Sequence, residues 1–260
     1  MARHENGEKA LFPRREAIFQ YISDKGLASV TELSVLFSVT DMTIRRDLEA
    51  LEKSGLVERT HGGAVPTSRG KFEPLFSQKS LLHRTQKDSI AVAAGRMVED
   101  YDTVFINSGS TTLRIFKQIQ AHNVKIITNN ASFPLGGFSE DIEVIATGGI
   151  FRRESYTFIG DTAVATISGV YASKAFIGLD GFDLEHGMTT PVQSEASINR
   201  LMIDHTRGKV IVVADSSKIG RVSNFFVAPA TAAQLLITDS GIHPDMVGRL
   251  EKAGISVLVC

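Results

Sequence analysis

The sequence predicts two domains of different architecture: a small α/β winged helix-turn-helix domain, and then an α/β domain built on a mostly parallel, doubly wound sheet. Helical stretches and a glycine-centred hairpin occupy residues 1–65, whereas from Asp102 onward short apolar runs alternate with helical stretches. That alternation is typical of a parallel sheet covered by helices. The 260 residues suffice for two hydrophobic cores. Residues 66–86 have the Pro, Gly, Ser and basic composition of a linker, so we place the second domain at residues 87–260.

Three helices are predicted in the first domain. The first covers residues 13–25 and carries apolar residues on one face. Ser29 and Glu32 have the spacing of a capping box at the start of the second helix. Thr40 is a favourable N-cap for the third helix, and Gly55 is a favourable residue to end it.

The third helix carries the main functional signal of the first domain. Ile44, Leu48 and Leu51 recur at helical spacing and are expected to face a core. Arg45 and Arg46 fall outside this apolar stripe, near the N-terminal end that a helix-turn-helix presents to base edges. The planar fork of an arginine can bond guanine or phosphate at two points. This end of the helix is therefore predicted to contact DNA.

A hairpin with a basic strand follows the third helix. Residues 56–65 form two short apolar stretches around Gly62-Gly63, which predicts two strands and a tight turn. A small helical domain with two solvated arginines is the alternative, but capped helices, turn and hairpin together favour a winged helix-turn-helix. The side chains assigned to DNA contact are those of Thr40, Met42, Thr43, Arg45, Arg46, Arg59 and His61.

This stretch resembles a known family signature. Residues 39–64 read V-T-D-M-T-I-R-R-D-L-E-A-L-E-K-S-G-L-V-E-R-T-H-G-G-A, which is similar to the signature of the DeoR family of bacterial repressors. Thr40 stands where the family usually has serine, a change that keeps a capping hydroxyl. The resemblance implies a DNA-binding repressor whose N-terminal domain holds an operator.

Composition narrows the possible functions. Hydrophobic residues make up 43% and charged residues 22%, as in soluble globular proteins. No apolar run approaches the ~20 residues of a membrane span, and the start of the chain lacks an apolar signal core, so we expect a cytoplasmic protein with no membrane partner. Cys260 is the only cysteine and the histidines lack metal-ligand spacing, so we expect no disulfide, no metal and no cofactor.

Charge argues against a generally adhesive nucleic-acid binder. The net charge is −1, and residues 1–70 contain ten basic and ten acidic residues. DNA affinity must then come from where the positive groups lie, and one neutral domain should bind weakly alone. We therefore expect a homo-oligomer, a dimer or higher, joined through residues 87–260.

Seven apolar runs predict the strands of the second domain: residues 103–107, 124–128, 142–146, 174–179, 209–214, 234–238 and 255–259. Ligands of such sheets bind beyond the carboxyl ends of the strands. After the first run, Gly109 lets the backbone approach a ligand closely. Ser110, Thr111 and Thr112 offer hydroxyls and N–H groups at a predicted helix N-terminus, which suits an anion. An ordinary capped turn explains the same residues, so both interpretations stay open.

Further small polar and charged residues follow the other predicted strands. Hydroxyls and N–H groups with Lys or Arg suit a phosphate, and Asp, Glu and Asn suit sugar hydroxyls, so a phosphorylated polyol is the predicted ligand. The residues assigned to this effector are Asn107, Gly109, Ser110, Thr111, Thr112, Asn129, Gly148, Gly149, Arg152, Asp180, Asp183, Glu195 and Lys218.

Residues 87–260 resemble the DeoR-family sensor domain and, more distantly, the ribose-5-phosphate isomerase fold. In the family the first loop usually begins with Asp, so Asn107 removes a charge here. The isomerases carry a catalytic lysine in a glycine-rich loop, whereas the matching loop 185–191 has none. A developing enolate would lack this cation, so the resemblance implies a sensing pocket rather than a catalytic one.

These expectations combine into a repressor of carbohydrate metabolism genes that binds operator DNA and is controlled by a sugar phosphate, without enzymatic activity. The family usually releases DNA when the effector binds. Two alternatives stay open. One is a sugar-phosphate isomerase or deaminase with an appended DNA-binding domain, and the other is an activator of the same build.

Overall fold

The computed structural model describes most of the chain as two compact units, one ending at Leu82 and one running from His83 to Cys260. The residues described are 14–15, 17–22, 25–53, 56–66 and 76–260. Among them, no helix combines the length and apolar character that crossing a bilayer requires.

The described part of the first unit contains the three helices and the hairpin that the sequence predicts, and one further helix. Its elements are α1 (helical at residues 14–15, 17–22 and 25), β1 (Ala28–Ser29), α2 (Val30–Leu36), α3 (Asp41–Lys53), β2 (Val57–Thr60), β3 (Gly63–Pro66) and α4 (Phe76–Leu81). The three strands form an antiparallel sheet in the order β1-β3-β2. Residue 13, the predicted start of the first helix, and Gly55, the predicted end of the third, lie outside the described residues. The helix α4 falls within the segment predicted as linker.

The capping box at the start of α2 forms only by half. The Ser29 hydroxyl accepts a hydrogen bond from the Glu32 N–H at 3.1 Å, as predicted. The Glu32 carboxylate does not return this bond but accepts from the Tyr21 hydroxyl and the Lys25 ammonium. Glu32 therefore links α2 to α1. Its carboxylate bonds the ammonium of Lys25 and the hydroxyl of Tyr21 in place of the Ser29 N–H, because a charged donor gives a stronger hydrogen bond than a backbone N–H.

A buried carboxylate joins α3 to α1. Asp47 is only 1% exposed, and its two oxygens accept from Arg14 Nε at 2.6 Å and Arg15 Nε at 2.9 Å. Around it lies a continuous apolar core. The core consists of Ile18, Ile22, Ala28, Val30, Leu33, Ile44, Leu48, Leu51, Leu56, Val57 and Ala64. The predicted inward stripe of α3 is thus confirmed, and Asp47 extends it as a charged member.

Close backbone approach explains one glycine of the hairpin. A Cβ on Gly63 would lie 2.2 Å from the Ala28 carbonyl oxygen, where β3 pairs with β1. Gly62 has a φ of +118°, a conformation that L side chains rarely adopt. The Gly62-Gly63 pair therefore both turns the hairpin and lets β3 pair closely with β1.

The second unit is an α/β domain with one large sheet. Its elements are α5 (Arg84–Gly95), β4 (Thr103–Ile106), β5 (Val124–Thr128), β6 (Ile142–Ala146), β7 (Ile150–Arg152), β8 (Thr157–Ile159), α6 (Asp161–Ser168), β9 (Ala172–Ile177), β10 (Gly181–Asp183), β11 (Gly187–Thr190), α7 (Gln193–Asp204), β12 (Thr206–Val213), β13 (Phe225–Ala228), β14 (Leu235–Thr238), α8 (Pro244–Lys252) and β15 (Ser256–Val259). A 3₁₀ helix, Thr112–Gln118, follows β4.

The large sheet has seven parallel strands in the order β15-β14-β12-β9-β4-β5-β6. They correspond to the seven apolar runs of the sequence. The chain builds β5 and β6 on one side of β4 and then crosses to place β9 on the other side. This reversal between β4 and β9 is the topological switch point, where open α/β sheets bind their ligands.

Helices cover both faces of this sheet, as its alternating buried residues require. On β4, Phe105 belongs to the apolar cluster that contains residues of α6, α7 and α8, whereas Val104 and Ile106 belong to the cluster that contains residues of α5 and the 3₁₀ helix. The predicted doubly wound architecture is confirmed. The hairpin β7–β8 and the antiparallel sheet β10-β11-β13 were not predicted from the sequence, because their strands are only three or four residues long.

Asp47→Ala should destabilise the first unit by about 1.5–3 kcal/mol, since it removes two charge-assisted hydrogen bonds and leaves two arginines without their shared partner. Urea unfolding of the full chain, with hydrogen exchange of the α3 amides, measures the effect. Glu49→Ala is the matched control, because Glu49 lies on the exposed face of the same helix and bonds the exposed Lys53. Equal behaviour of the two variants would contradict the proposed role of Asp47.

Candidate functional site

The exposed face of α3 carries the side chains predicted to contact DNA. Met42, Arg45 and Arg46 are exposed. Thr40 Oγ1 accepts a hydrogen bond from the Thr43 N–H at 3.3 Å and lies 3.0 Å from the Thr43 hydroxyl, so Thr40 caps the helix and fixes the start of its exposed face.

The wing presents one exposed residue and one fastened residue. His61 is exposed at the hairpin turn. Arg59 is half-buried: its Nη1 donates to the Arg45 carbonyl at 3.4 Å, and its N–H donates to Glu52 Oε1 at 3.3 Å. Arg59 therefore holds the wing against α3 in this structure, a task that its position in the sequence does not indicate.

Asn107 closes the switch point of the large sheet. It follows β4 and is fully buried. Its side chain bonds the loop after β9, because Oδ1 accepts from the Gly178 N–H at 2.8 Å and Nδ2 donates to the Gly178 carbonyl at 2.9 Å. Nδ2 also donates to Asn199 Oδ1 on α7 at 2.9 Å. Asn107 thus shapes the candidate site from behind, although the sequence assigned it to the effector.

The loops after β4 and β5 are joined in the same manner. Asn129 Oδ1 accepts from the Ser108 N–H at 2.8 Å, and Asn129 Nδ2 donates to Thr157 Oγ1 on β8 at 2.8 Å. Asn130 Nδ2 donates to the Gly109 carbonyl at 3.3 Å. These bonds link the ends of neighbouring strands and hold the Gly109 turn in place.

The hydroxyls of the first loop have different tasks. Thr112 is fully buried, and its Oγ1 lies 2.8 Å from the Asn107 carbonyl and 3.1 Å from that of Gly109. Ser110 and Thr111 are each 8% exposed. The predicted helix after this loop is a 3₁₀ helix without a side-chain cap, and Ser110 and Thr111, which lie just before it, remain the candidate ligand contacts of the loop.

The hairpin β7–β8 brings Arg152 to α7. Arg152 Nη1 lies 3.3 Å from Glu195 Oε1 and 2.9 Å from Ser155 Oγ. Gly148 and Gly149 begin the hairpin with φ values of +66° and +105°. Glu195 is buried, so the guanidinium supplies the charge that makes its burial tolerable. The structure therefore pairs two predicted site residues that lie on different elements.

A second charged pair links the loops after β9 and β12. Lys218 Nζ lies 4.0 Å from Asp180 Oδ1, with both side chains partly exposed. Asp215 accepts from the Ser217 hydroxyl, and Asp239, after β14, accepts from the Ser216 N–H at 2.6 Å. These contacts hold the short turn that presents Lys218 beside Asp180.

Asp183 is occupied by its own loop. Its Oδ1 accepts from the N–H groups of Glu185 and His186, each at 2.9 Å, and lies 2.9 Å from His186 Nδ1. Burial opposes ionisation of Asp183, but the His186 and Glu185 bonds outweigh it, so its pKa lies below the usual value. The carboxylate is therefore ionised at neutral pH and serves the turn between β10 and β11.

Three residues that organise this site were not predicted from the sequence. Asn199 bonds Asn107, Thr157 bonds Asn129, and Asp239 orders the Lys218 turn. Asn199 lies one turn after Glu195 on the same helix, and this i,i+4 spacing is a signal that could have identified it. The other two follow only from which strands pair or neighbour each other.

Comparison with known proteins gives a consistent result for both units. Residues 14–69 match the family described as DeoR-like helix-turn-helix domain, and residues 82–240 match the family described as DeoR C terminal sensor domain. An Escherichia coli O157:H7 protein named for transcriptional repression of the aga operon is 35% identical over 95% of this chain and 93% of its own length. The transcriptional regulator GlpR of Haloferax volcanii is 34% identical over 94% of this chain and 96% of its own.

A solved structure of ribose-5-phosphate isomerase in complex with phospho-erythronic acid is also similar, at 16% identity and a TM-score of 0.39. It covers 52% of this chain and 54% of its own.

Gly149→Ala should disturb the hairpin that carries Arg152 and should cost about 3 kcal/mol of stability. The added Cβ would lie 2.5 Å from the Ile159 carbonyl oxygen, at a φ that disfavours L side chains. Gly148→Ala is the control, since its φ is also positive but its Cβ meets only Thr162 Cγ2 at 3.7 Å, so about 1 kcal/mol is expected. Thermal unfolding measures both, and a larger loss at Gly148 would contradict the geometry of the hairpin.

Proposed function

The chain belongs to the DeoR family of transcriptional regulators, and we propose that it is a sequence-specific repressor of carbohydrate metabolism genes controlled by a sugar phosphate. The observation that carries the proposal is the arrangement of the second unit. Hydrogen bonds of Asn107 and Asn129 join the loops after β4, β5 and β9 to α7 and β8 at the switch point of its sheet, and the Arg152–Glu195 and Asp180–Lys218 pairs add charge on α7 and on the loop after β9. The first unit supplies the exposed arginine face that an operator requires.

DNA recognition is assigned to α3. Arg45 and Arg46 are exposed, whereas the next residue, Asp47, is buried against α1, so the arginine forks can meet base edges and phosphates. His61 at the wing is a further candidate contact, and Arg59 supports the wing. Because the region is neutral overall, we expect two such units, joined in a homo-oligomer through residues 87–260, to share one operator.

Effector recognition is assigned to the loops around the switch point. Lys218 is partly exposed and can meet a phosphate. Ser110 and Thr111 can add hydrogen bonds to it. Asp180 and the Arg152–Glu195 pair suit the hydroxyls of a polyol, because their oxygens and N–H groups can exchange partners with a bound sugar.

The occupied state of Asp183 supports sensing over catalysis. Asp183 Oδ1 meets three donors from its own turn, and these bonds lower the pKa of the carboxylate, whereas a general base works best with a pKa near the operating pH. Together with the absence of lysine from loop 185–191, this favours a binding pocket over an isomerase or deaminase. The effector acts on operator affinity to the extent that it binds one arrangement of the protein better than the other.

Arg45→Ala and Arg46→Ala should each weaken operator binding without altering the fold. A lost base contact costs about 1–3 kcal/mol, and a lost phosphate contact lowers the salt slope of binding by about one. Binding of full-length protein to its promoter DNA, titrated at several salt concentrations, distinguishes these roles. Lys53→Ala is the control, because Lys53 lies at the far end of α3 and pairs with Glu49. Unchanged affinity in both arginine variants would falsify the assignment of α3.

Lys218→Ala should weaken the response to the effector by roughly tenfold to a hundredfold, because a charge-assisted hydrogen bond contributes about 1.5–3 kcal/mol. DNA binding without effector should not change. The measurement titrates sugar phosphates into the preformed protein–DNA complex. Lys125→Ala is the control, since Lys125 is near the amino end of β5 and contacts Glu143. If Lys218→Ala responds at the wild-type concentration, the phosphate lies elsewhere.

A further inference from the structure

Asn199 is a buried amide on the wall of the candidate effector site. It is 4% exposed and lies on α7 one turn after Glu195, so both side chains project from the same side of the helix. Its Oδ1 accepts from Asn107 Nδ2 at 2.9 Å. Asn199 is thereby placed directly behind the strand ends that form the switch point.

The orientation of the Asn199 amide is fixed by its neighbour. Asn107 bonds both the N–H and the carbonyl of Gly178, so its oxygen and nitrogen cannot exchange places without losing both bonds. The second proton of Asn107 Nδ2 then points at Asn199, so the Asn199 atom that accepts this hydrogen bond must be its oxygen, Oδ1. The Asn199 –NH₂ group is consequently turned away from Asn107.

That –NH₂ group has no hydrogen-bond partner among the described residues. The buried hydroxyls of Ser132 and Thr238 also lack a partner, and these atoms have no contact with solvent. The Asn199 nitrogen is not among the atoms without solvent contact. A donor that is nearly buried but still reachable loses free energy unless an acceptor comes to it. The group is therefore suited to an oxygen of a molecule that enters the site.

We infer that Asn199 Nδ2 is a specificity contact of the effector site and donates a hydrogen bond to a hydroxyl or carbonyl oxygen of the sugar. This inference rests on the proposed function. A neutral amide can donate to an uncharged hydroxyl or carbonyl oxygen without needing a charge on the ligand, while Lys218, on the β12 loop, supplies the positive charge that suits the phosphate. Asn107 is a positioning residue, because its polarity decides which end of Asn199 faces the ligand.

The tests use full-length protein and a panel of ribose 5-phosphate, fructose 6-phosphate, glucose 6-phosphate and glycerol 3-phosphate, with the unphosphorylated compounds as controls. The panel member that raises the melting temperature of the wild type most is then titrated by calorimetry. Asn199→Asp keeps an oxygen for Asn107 but removes the donor, so its affinity should fall about tenfold or more. Asn107→Asp should have a similar effect, because a carboxylate draws the Asn199 –NH₂ toward itself.

Ser197→Asp is the matched control. It adds the same charge to the exposed face of the same helix, and its affinity should remain within about twofold of wild type. Melting temperatures without ligand report folding separately. Unchanged affinity of Asn199→Asp for the sugar phosphate, whether or not its melting temperature falls, would make Asn199 a purely structural residue and overturn the inference. If no panel member stabilises the wild type, the proposed effector class fails, and the Asn199 assignment fails with it.

Discussion

The hydrogen bonds between Asn107 and Gly178 join the loops after β4 and β9, and the candidate site of the second unit depends on this joint. The chain leaves β4 in one direction and returns beside it as β9, so the loops beyond these two strands diverge. The switch point lies between these two loops. Asn107 closes it with one acceptor and one donor to the same backbone residue, and its remaining proton brings in α7. A side chain with both donor and acceptor is needed for this joint, and an amide supplies them without burying a charge.

From this joint the polar groups of the site are arranged in pairs. Asn129 connects the loops after β4 and β5 to β8, Arg152 neutralises Glu195, and Asp180 lies beside Lys218. Paired groups are rigid, and a rigid site loses little conformational entropy when a ligand binds. The exposed members of these pairs are then the groups that a sugar phosphate can engage, whereas the fully buried ones determine the shape of the site.

In the first unit, one short helix, α3, likewise carries residues for ligand contact and residues for internal structure. Arg45 and Arg46 point outward, and Asp47, the next residue, points inward to Arg14 and Arg15. Helical geometry alone turns consecutive residues by about 100°, so three adjacent charged residues serve DNA contact and internal docking without competing. The buried Asp47 carboxylate fixes the orientation of α3 against α1, and this orientation also sets the direction in which Arg45 and Arg46 point.

The sequence by itself determined the seven sheet strands, the three helices with the caps at Ser29 and Thr40, and the glycine hairpin, because these depend on local periodicity and on conformations that few residues adopt. It also located the strand-end loops of the candidate site. It did not determine what each side chain does there: Asn107, Thr112 and Asp183 bond their own protein, and Asn199 was not recognised. Asn107 meets partners 71 and 92 residues away. Such partners are chosen by strand order, and strand order is fixed only when the whole sheet is assembled.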